Sequence, residues 1–254
     1  MQRKSLSILS LALVASGAFA QTKPPEPDYT LAYNIGAFSD YRFRGISQTR
    51  LDPALQGGID FTHKSGFYLG AWASNIKWIK DGGGKNSNAE IDLYGGYKGT
   101  LSDIGYDLGL LAYVYPGHRG FLPVNPETTE LYGAVTFGPV TAKYSHAVTN
   151  TFGYASSKNS GYLDISASFD LGKGWSVVPH IGHQRIVGNN GGALVKAGDA
   201  SYTDYALTVN YDFGNGVVAS AAAIGTDAKR YAYLTPTGRF NGRDTVVLGL
   251  KYSF

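Results

Sequence analysis

From Thr245 to Phe254 the chain sets Val246, Leu248, Leu250, Tyr252 and Phe254 on one side and Thr245, Gly249, Lys251 and Ser253 on the other. A period of two is that of a β-strand, whose successive side chains point to opposite faces. One face here is greasy and the other holds a lysine. That fits a membrane β-barrel, with lipid outside and a polar lumen inside. An aromatic last residue with Tyr252 two positions before it also reads as an assembly signal of outer-membrane proteins.

The same alternation runs through most of the chain. Tyr29, Leu31, Tyr33, Ile35, Ala37, Tyr41 and Phe43 share a face opposite Asn34, Asp40, Arg42 and Arg44, which predicts one long first strand. Leu55, Ile59 and Phe61 oppose Gln56, Asp60 and Thr62, and Ile91, Leu93 and Tyr97 oppose Glu90, Asp92 and Lys98. Leu131, Val135 and Phe137 lie against Glu130 and Thr136, then Leu163, Ile165 and Phe169 against Asp164, Ser166 and Ser168. Tyr205, Leu207, Val209 and Tyr211 oppose Asp204, Thr208 and Asn210. The run 67–76 is ambiguous about its faces. Pro179 cannot donate to a ladder and predicts a bulge in its strand.

Connections alternate in kind. Short glycine-containing turns fall at 63–66, 99–103, 138–139, 172–174 and 214–216, and longer polar links at 45–53, 77–88, 116–128, 150–160, 187–200 and 226–242. That order requires an even number of strands, about twelve, in an antiparallel up-and-down barrel with short periplasmic turns and longer extracellular loops. A soluble sandwich or lipocalin-like barrel would turn its apolar face inward. Two features favour the membrane version: the polar face is sparse in charge, and aromatics such as Phe61, Phe67, Tyr97, Phe137, Phe169, Trp175 and Phe213 collect at the short-turn ends as a girdle would.

At the other end, Arg3 and Lys4 precede an apolar core and the small-x-small run Ala18-Phe19-Ala20, the pattern of a secretory leader. The expected division is a signal peptide over 1–20, cleaved after Ala20, and a barrel over 21–254 in the bacterial outer membrane. Without Arg3 and Lys4, the 22 Lys and Arg fall to 20 against 19 Asp and Glu, a near-balance that gives no footing for nucleic acid. There is no cysteine, which excludes disulfides, thiolate metal sites and a thiol nucleophile. The mean hydropathy of −0.14 looks soluble only because a barrel needs alternate residues apolar.

Two segments, Ser39-Asp40-Tyr41-Arg42-Phe43-Arg44-Gly45-Ile46-Ser47-Gln48 and Gly66-Phe67-Tyr68-Leu69-Gly70-Ala71-Trp72-Ala73-Ser74-Asn75-Ile76, followed by Glu90-Ile91-Asp92-Leu93-Tyr94-Gly95-Gly96-Tyr97, resemble the bacterial Gcw_chp family, also called TorF-family porins. The resemblance implies a porin-like barrel over most of the mature chain. It carries no catalytic residue.

Little else points to chemistry. Gly188-Asn189-Asn190-Gly191-Gly192 lacks the lysine ending of a phosphate loop. His180 and His183 are three apart and so on opposite faces of a strand, unable to share a metal ion. No cofactor is expected, and no enzyme activity. The enzyme alternative is a lipid hydrolase in which His183 and Ser201 meet at the outer ends of adjacent strands, oriented by Asn189, Asn190 or Asp199. A non-conducting structural barrel is the other alternative.

The favoured reading is a passive diffusion channel for small hydrophilic solutes or ions. Its expected pore-lining residues are Arg42, Arg44 and Arg243 on one wall, Glu90, Asp92, Glu130 and Asp164 on the remainder, and Lys143. Opposed charges would set a transverse field that favours dipolar solutes. Tyr252 and Phe254 are the expected assembly signal, read by the barrel assembly machinery, and outer-membrane lipid is the expected surround.

Overall fold

The computed structural model describes residues 27–84, 86–119, 124–188 and 199–254. The expected leader lies outside them. Twelve wall strands close into a barrel. In chain order the strands are β1 (Tyr29–Phe38), β2 (Arg42–Phe43), β3 (Ile46–Ser47), β4 (Ala54–His63), β5 (Phe67–Asn75), β6 (Ala89–Leu101), β7 (Ile104–Val114) and β8 (Thr128–Phe137). There follow β9 (Val140–Ala147), β10 (Gly161–Ala167), β11 (Phe169–Gly172), β12 (Trp175–Arg185), β13 (Tyr202–Asp212), β14 (Val217–Thr226) and β15 (Thr245–Ser253). Wall strands pair antiparallel with their chain neighbours, β11 prolongs β10, and β2 with β3 forms a separate small hairpin.

The ring is completed by β1 on β15, with Ile35 opposite Tyr252 and Ala37 opposite Leu250. Beyond that ladder Tyr33 N donates to Phe254 O at 2.9 Å and Phe254 N to Tyr33 O at 3.0 Å. Closure matters because a free strand edge would leave a row of unpaired backbone groups, which lipid cannot satisfy.

Burial follows the period of two, inverted relative to a soluble protein. Leu55, Leu69, Leu131, Leu163, Leu207 and Leu248 stand exposed on the outside, while Glu90, Glu130, Gln184 and Asp204 are buried inside. An apolar belt of that extent in contact with water would oppose folding, whereas hydrocarbon accommodates it. The ambiguous run resolves accordingly: Phe67 and Leu69 face outward, and Ser74 is buried.

Two expectations need correction. Pro179 causes no bulge: β10 and β11 pair with β12 in one register on either side of it, and the shift falls later, between Asp170 and Gly172. The ladder is merely interrupted where β10 ends and β11 begins, which spares Pro179 the missing N–H. The first strand also stops early. It ends at Phe38, and residues 39–53 turn inward instead of prolonging the wall.

Candidate functional site

The inward turn starts at Ser39, whose N–H donates to Leu248 O at 2.8 Å and whose Oγ accepts from Leu248 N at 2.9 Å. Asp40 then becomes the hub of the folded-in segment. Its carboxylate accepts from Ser47 Oγ at 2.6 Å, Thr49 Oγ1 at 2.8 Å and Arg42 Nε at 2.6 Å. β2 and β3 pair through Arg42 with Ser47 and Phe43 with Ile46, leaving Arg44 and Gly45 as the two turn residues. Both have positive φ, 48° and 77°, the backbone of a tight I′ hairpin turn.

This hairpin spans the lumen. Tyr41 donates its hydroxyl to Glu90 on β6 at 2.5 Å, and Arg44 donates to Glu130 on β8 at 2.7 Å and to Gln184 on β12 at 2.6 Å. The Arg44 guanidinium also lies 4.7 Å from the Phe43 ring centre and 4.3 Å from that of Tyr162 on β10. Phe43, Tyr113 and Phe152 meet edge to face around it, their ring centres 5.2 to 5.4 Å apart. At the tip, a Cβ on Gly45 would lie 2.6 Å from both Asp204 Cβ and Thr226 Cγ2. Only glycine lets the turn sit this close to β13 and β14.

Above the hairpin the outer loops cover the mouth. Tyr41, Ala54, Ile76, Ile79, Tyr113 and Tyr115 form one buried apolar cluster, and Ile46, Tyr202 and Ala228 a second. Lys77 hydrogen-bonds to Asp52 and Arg50 to Asp81, tying successive loops together. The hydrogen bond from Lys77 holds the Asp52 carboxyl below the usual carboxylate range.

Next to the hairpin lies a chamber of about 390 Å³. Its wall carries cations and carboxylates in equal number, Arg42, Arg44 and Lys143 with Asp92, Asp164 and Asp204. His180 bridges two of the acids, 3.3 Å from Asp164 and 2.9 Å from Asp204, and Tyr162 donates to Asp204 at 2.9 Å. Lys143 stands 3.9 Å over the Tyr132 ring. Farther along the wall Tyr68 donates to Asp107 at 2.6 Å and Tyr94 to Asp60 at 2.5 Å. Several lumen tyrosines lie flat over glycines of the adjacent strand: a Cβ at Gly70 would run into the Tyr94 ring, and one at Gly109 into Tyr132. Strand glycine is thus used for space here.

The expected pore residues fall into three groups. Glu90, Asp92, Glu130, Lys143 and Asp164 are lumen-side residues of wall strands, buried or half-buried. Arg42 and Arg44 are inside the barrel on the hairpin, not on the wall, and each is engaged by a carboxylate, Asp40 and Glu130 respectively. Arg243 is an exposed loop residue ahead of β15, so the expected arginine wall does not exist as one. Tyr252 and Phe254 are exposed on the outside with their rings stacked at 5.2 Å. Asp204, His180 and Tyr162 complete the chamber without having been singled out for it. Asp204 sits on the polar parity of its strand, the one sequence signal that marks it.

The residues of the hydrolase alternative do not pair. His183 Nδ1 is 3.1 Å from Thr203 Oγ1, while Ser201 Oγ accepts from Ile186 N at 2.9 Å and donates to Ile186 O. Asp199 is bonded to Lys229, and Asn189 and Asn190 lie outside the described residues. Among the described residues no cluster of His, Asp and Glu has the form of a metal site.

The profile of the Gcw_chp family, described as bacterial protein of unknown function, matches residues 22–254. Among solved structures, the KdgM porin aligns with a TM-score of 0.52 at 8% identity, covering 88% of this chain and 98% of that one. The NanC porin aligns with a TM-score of 0.52 at 11% identity, covering 89% of this chain and 99% of that one. A KdgM porin in complex with disordered oligogalacturonate aligns at 0.51 and 8% identity, over 88% of this chain and 98% of that one. At these identities the likeness is one of fold. No curated protein matches the sequence.

Proposed function

The chain belongs to the Gcw_chp family, and we propose that it serves as an outer-membrane diffusion channel for small hydrophilic solutes, constricted by its own first loop. Export by a leader cleaved after Ala20, assembly by the barrel machinery and a surround of outer-membrane lipid complete the reading. The observation that carries it is the contrast between the two sides of one wall. Outside stand exposed leucines; inside, Glu90, Asp92, Glu130, Lys143 and Asp164 face a lumen. Charged groups inside a membrane protein ordinarily mark a water-filled pathway.

The constriction follows from the hairpin, which reaches several strands from within. Solutes must pass beside Arg44 or displace it. The oligogalacturonate named for the KdgM complex is a polyanion, and the equal carboxylates and cations of this chamber give a polyanion no preference. A second reading, a barrel that does not conduct, draws on the complete burial of Ser47, Thr49 and Ile79 at the mouth.

Planar-bilayer recording of the purified, folded protein decides between them. Discrete conductance steps are expected. Heat-modifiable, correctly folded protein that inserts and yields no steps would overturn the channel.

A further inference from the structure

We propose that the outward ends of β9, β10 and β12 form a seat for the phosphate headgroup of an outer-leaflet lipid. The proposal goes beyond the channel reading and shares with it only the barrel's place in the outer membrane.

Among the described residues, the lipid-facing positions of the wall strands carry a single Lys, Arg, Asp or Glu, which is Arg185 at the loop end of β12. Three histidines share that face. His63 stands at a short turn, and the other two, His146 and His183, lie beside Arg185. Register brings them together: Gly161 of β10 lies between His146 of β9 and Arg185 of β12, and Leu163 between Tyr144 and His183. Two strand spacings put the backbones of His146 and Arg185 about 10 Å apart, across a glycine with no side chain to fill the gap. Tyr144 reaches into it, since a Cβ at Gly161 would run into Tyr144 Oη. The Tyr144 and His146 ring centres are 6.2 Å apart.

These side chains hold donors that the protein does not use. Arg185 is exposed, and among the described residues neither its guanidinium nor the Tyr144 hydroxyl makes an ion pair or hydrogen bond. The internal residues outside the described ones, 85, 120–123 and 189–198, include no Asp or Glu to neutralise it. His183 Nδ1 is engaged by Thr203 Oγ1, and His146 Nε2 by Asn159 Oδ1 at 3.3 Å, which leaves one nitrogen of each ring open. Lys158, exposed beside Asn159, is a second cation without an acid among the described residues. The acids of the adjoining segments have partners of their own: Asp227 accepts from Thr203 N at 2.6 Å, and Glu127 lies 3.7 Å from His118.

Location selects the occupant. A charge on the outward face costs most at the middle of the bilayer and least at its edge, so an arginine placed where β12 meets its long loop lies at headgroup level. Below it the same three strands present Leu163, Ile165 and Ile181, exposed and apolar, as a floor for acyl chains. A soluble anion would use the cation and leave that floor idle, whereas a phosphorylated lipid uses both. Guanidinium donors also match phosphate oxygens in geometry, two parallel hydrogen bonds at a time.

The test is native mass spectrometry of the full folded protein in detergent, titrated with diphosphorylated lipid A and with the same lipid stripped of both phosphates. Inorganic phosphate serves as competitor. The phosphorylated lipid is expected to bind at least about tenfold more tightly than the stripped one, the worth of one charged hydrogen bond. Millimolar inorganic phosphate should not displace it. Arg185→Gln should erase most of the advantage, and His146→Gln with His183→Gln should reduce it, while Lys173→Gln, in the turn before β12, should leave it intact. The histidine variant carries the test if Arg185→Gln fails to fold. Folded wild-type protein that does not distinguish the two lipids overturns the seat, as does an equal loss in Arg185→Gln and Lys173→Gln. Displacement by inorganic phosphate also overturns it, in favour of a site for free anions. No current is read, so a barrel that holds the lipid without conducting loses the channel and keeps the seat. A conducting barrel indifferent to the phosphates does the reverse.

Discussion

Arg44 Nη2 lies 2.7 Å from Glu130 Oε2 although 86 positions separate the two residues, and both side chains are nearly inaccessible, at 7% and 1% exposure. With the hydrogen bonds from Arg44 to Gln184 and from Tyr41 to Glu90, the pair fastens the infolded segment to the wall. Removing one partner of a buried ion pair costs about 3–5 kcal/mol because the other charge is stranded. The wall ladders do not depend on this pair, so the hairpin rather than the barrel should give way. Arg44→Met should therefore raise single-channel conductance and its noise, with heat-modifiable migration unchanged, and Arg44→Met with Glu130→Met should be quieter. A conductance indifferent to Arg44 would show that the hairpin does not limit flow.

Gly45 supplies an independent way to unseat the same hairpin. Alanine there would strain a φ of 77° by about 1–2 kcal/mol and push a methyl group against Asp204 and Thr226. Gly45→Ala should increase conductance as Arg44→Met does. Gly214 is the matched control: its φ is 88°, and a Cβ there meets nothing within 4 Å. Gly214→Ala should cost stability in thermal unfolding and leave conductance alone.

How far the sequence could be read depends on what repeats in it. Alternation of apolar and polar residues recurs along most wall strands, so barrel, strand number and the inward facing of Glu90, Asp92 and Glu130 were legible from parity. The hairpin was not, because Tyr41, Arg42, Phe43 and Arg44 resume the parity of β1 after the single interruption at Phe38 and Ser39. Their rings are apolar, as lipid-facing residues are, yet Tyr41 is buried inside against Trp72. What parity cannot register is a backbone that leaves the wall at Ser39. The available signal was local chemistry: Arg44-Gly45 as turn residues, and Asp40, Ser47 and Thr49 too close-set for a wall strand. The chamber was illegible for another reason, since it joins side chains from strands far apart in the chain.

Ion preference tests two of the lumen-side wall residues, Asp92 and Lys143. Asp92→Asn should move the reversal potential in a salt gradient toward anions, and Lys143→Gln toward cations. Both shifts should shrink when salt is raised from about 0.1 to about 1 M, as the screening length falls from about 10 to about 3 Å. Leu93→Val on the outside should change nothing, and Arg243→Ser, exposed ahead of β15, should change little. Well-assembled protein whose selectivity ignores Asp92 and Lys143 would mean that ions do not pass this chamber.

The seam between β1 and β15 gives the last prediction. Phe254 exchanges two backbone hydrogen bonds with Tyr33, and its ring stacks on Tyr33 at 5.6 Å and on Tyr252 at 5.2 Å. Each backbone bond is worth about 0.5–1.5 kcal/mol net in water, and leaving its partners unpaired beside lipid costs more. Deleting Phe254 should therefore lower the yield of heat-modifiable barrel in the outer-membrane fraction and the temperature at which it unfolds. Phe254→Ala keeps the backbone bonds and loses only the stacking, so it should fall between the deletion and wild type. Ser253→Ala, on the lumen parity, should match wild type. If the deletion and Ser253→Ala assemble equally well, the seam is held by the ladder from Asn34 to Phe38 alone, and Phe254 has no part in closing the barrel.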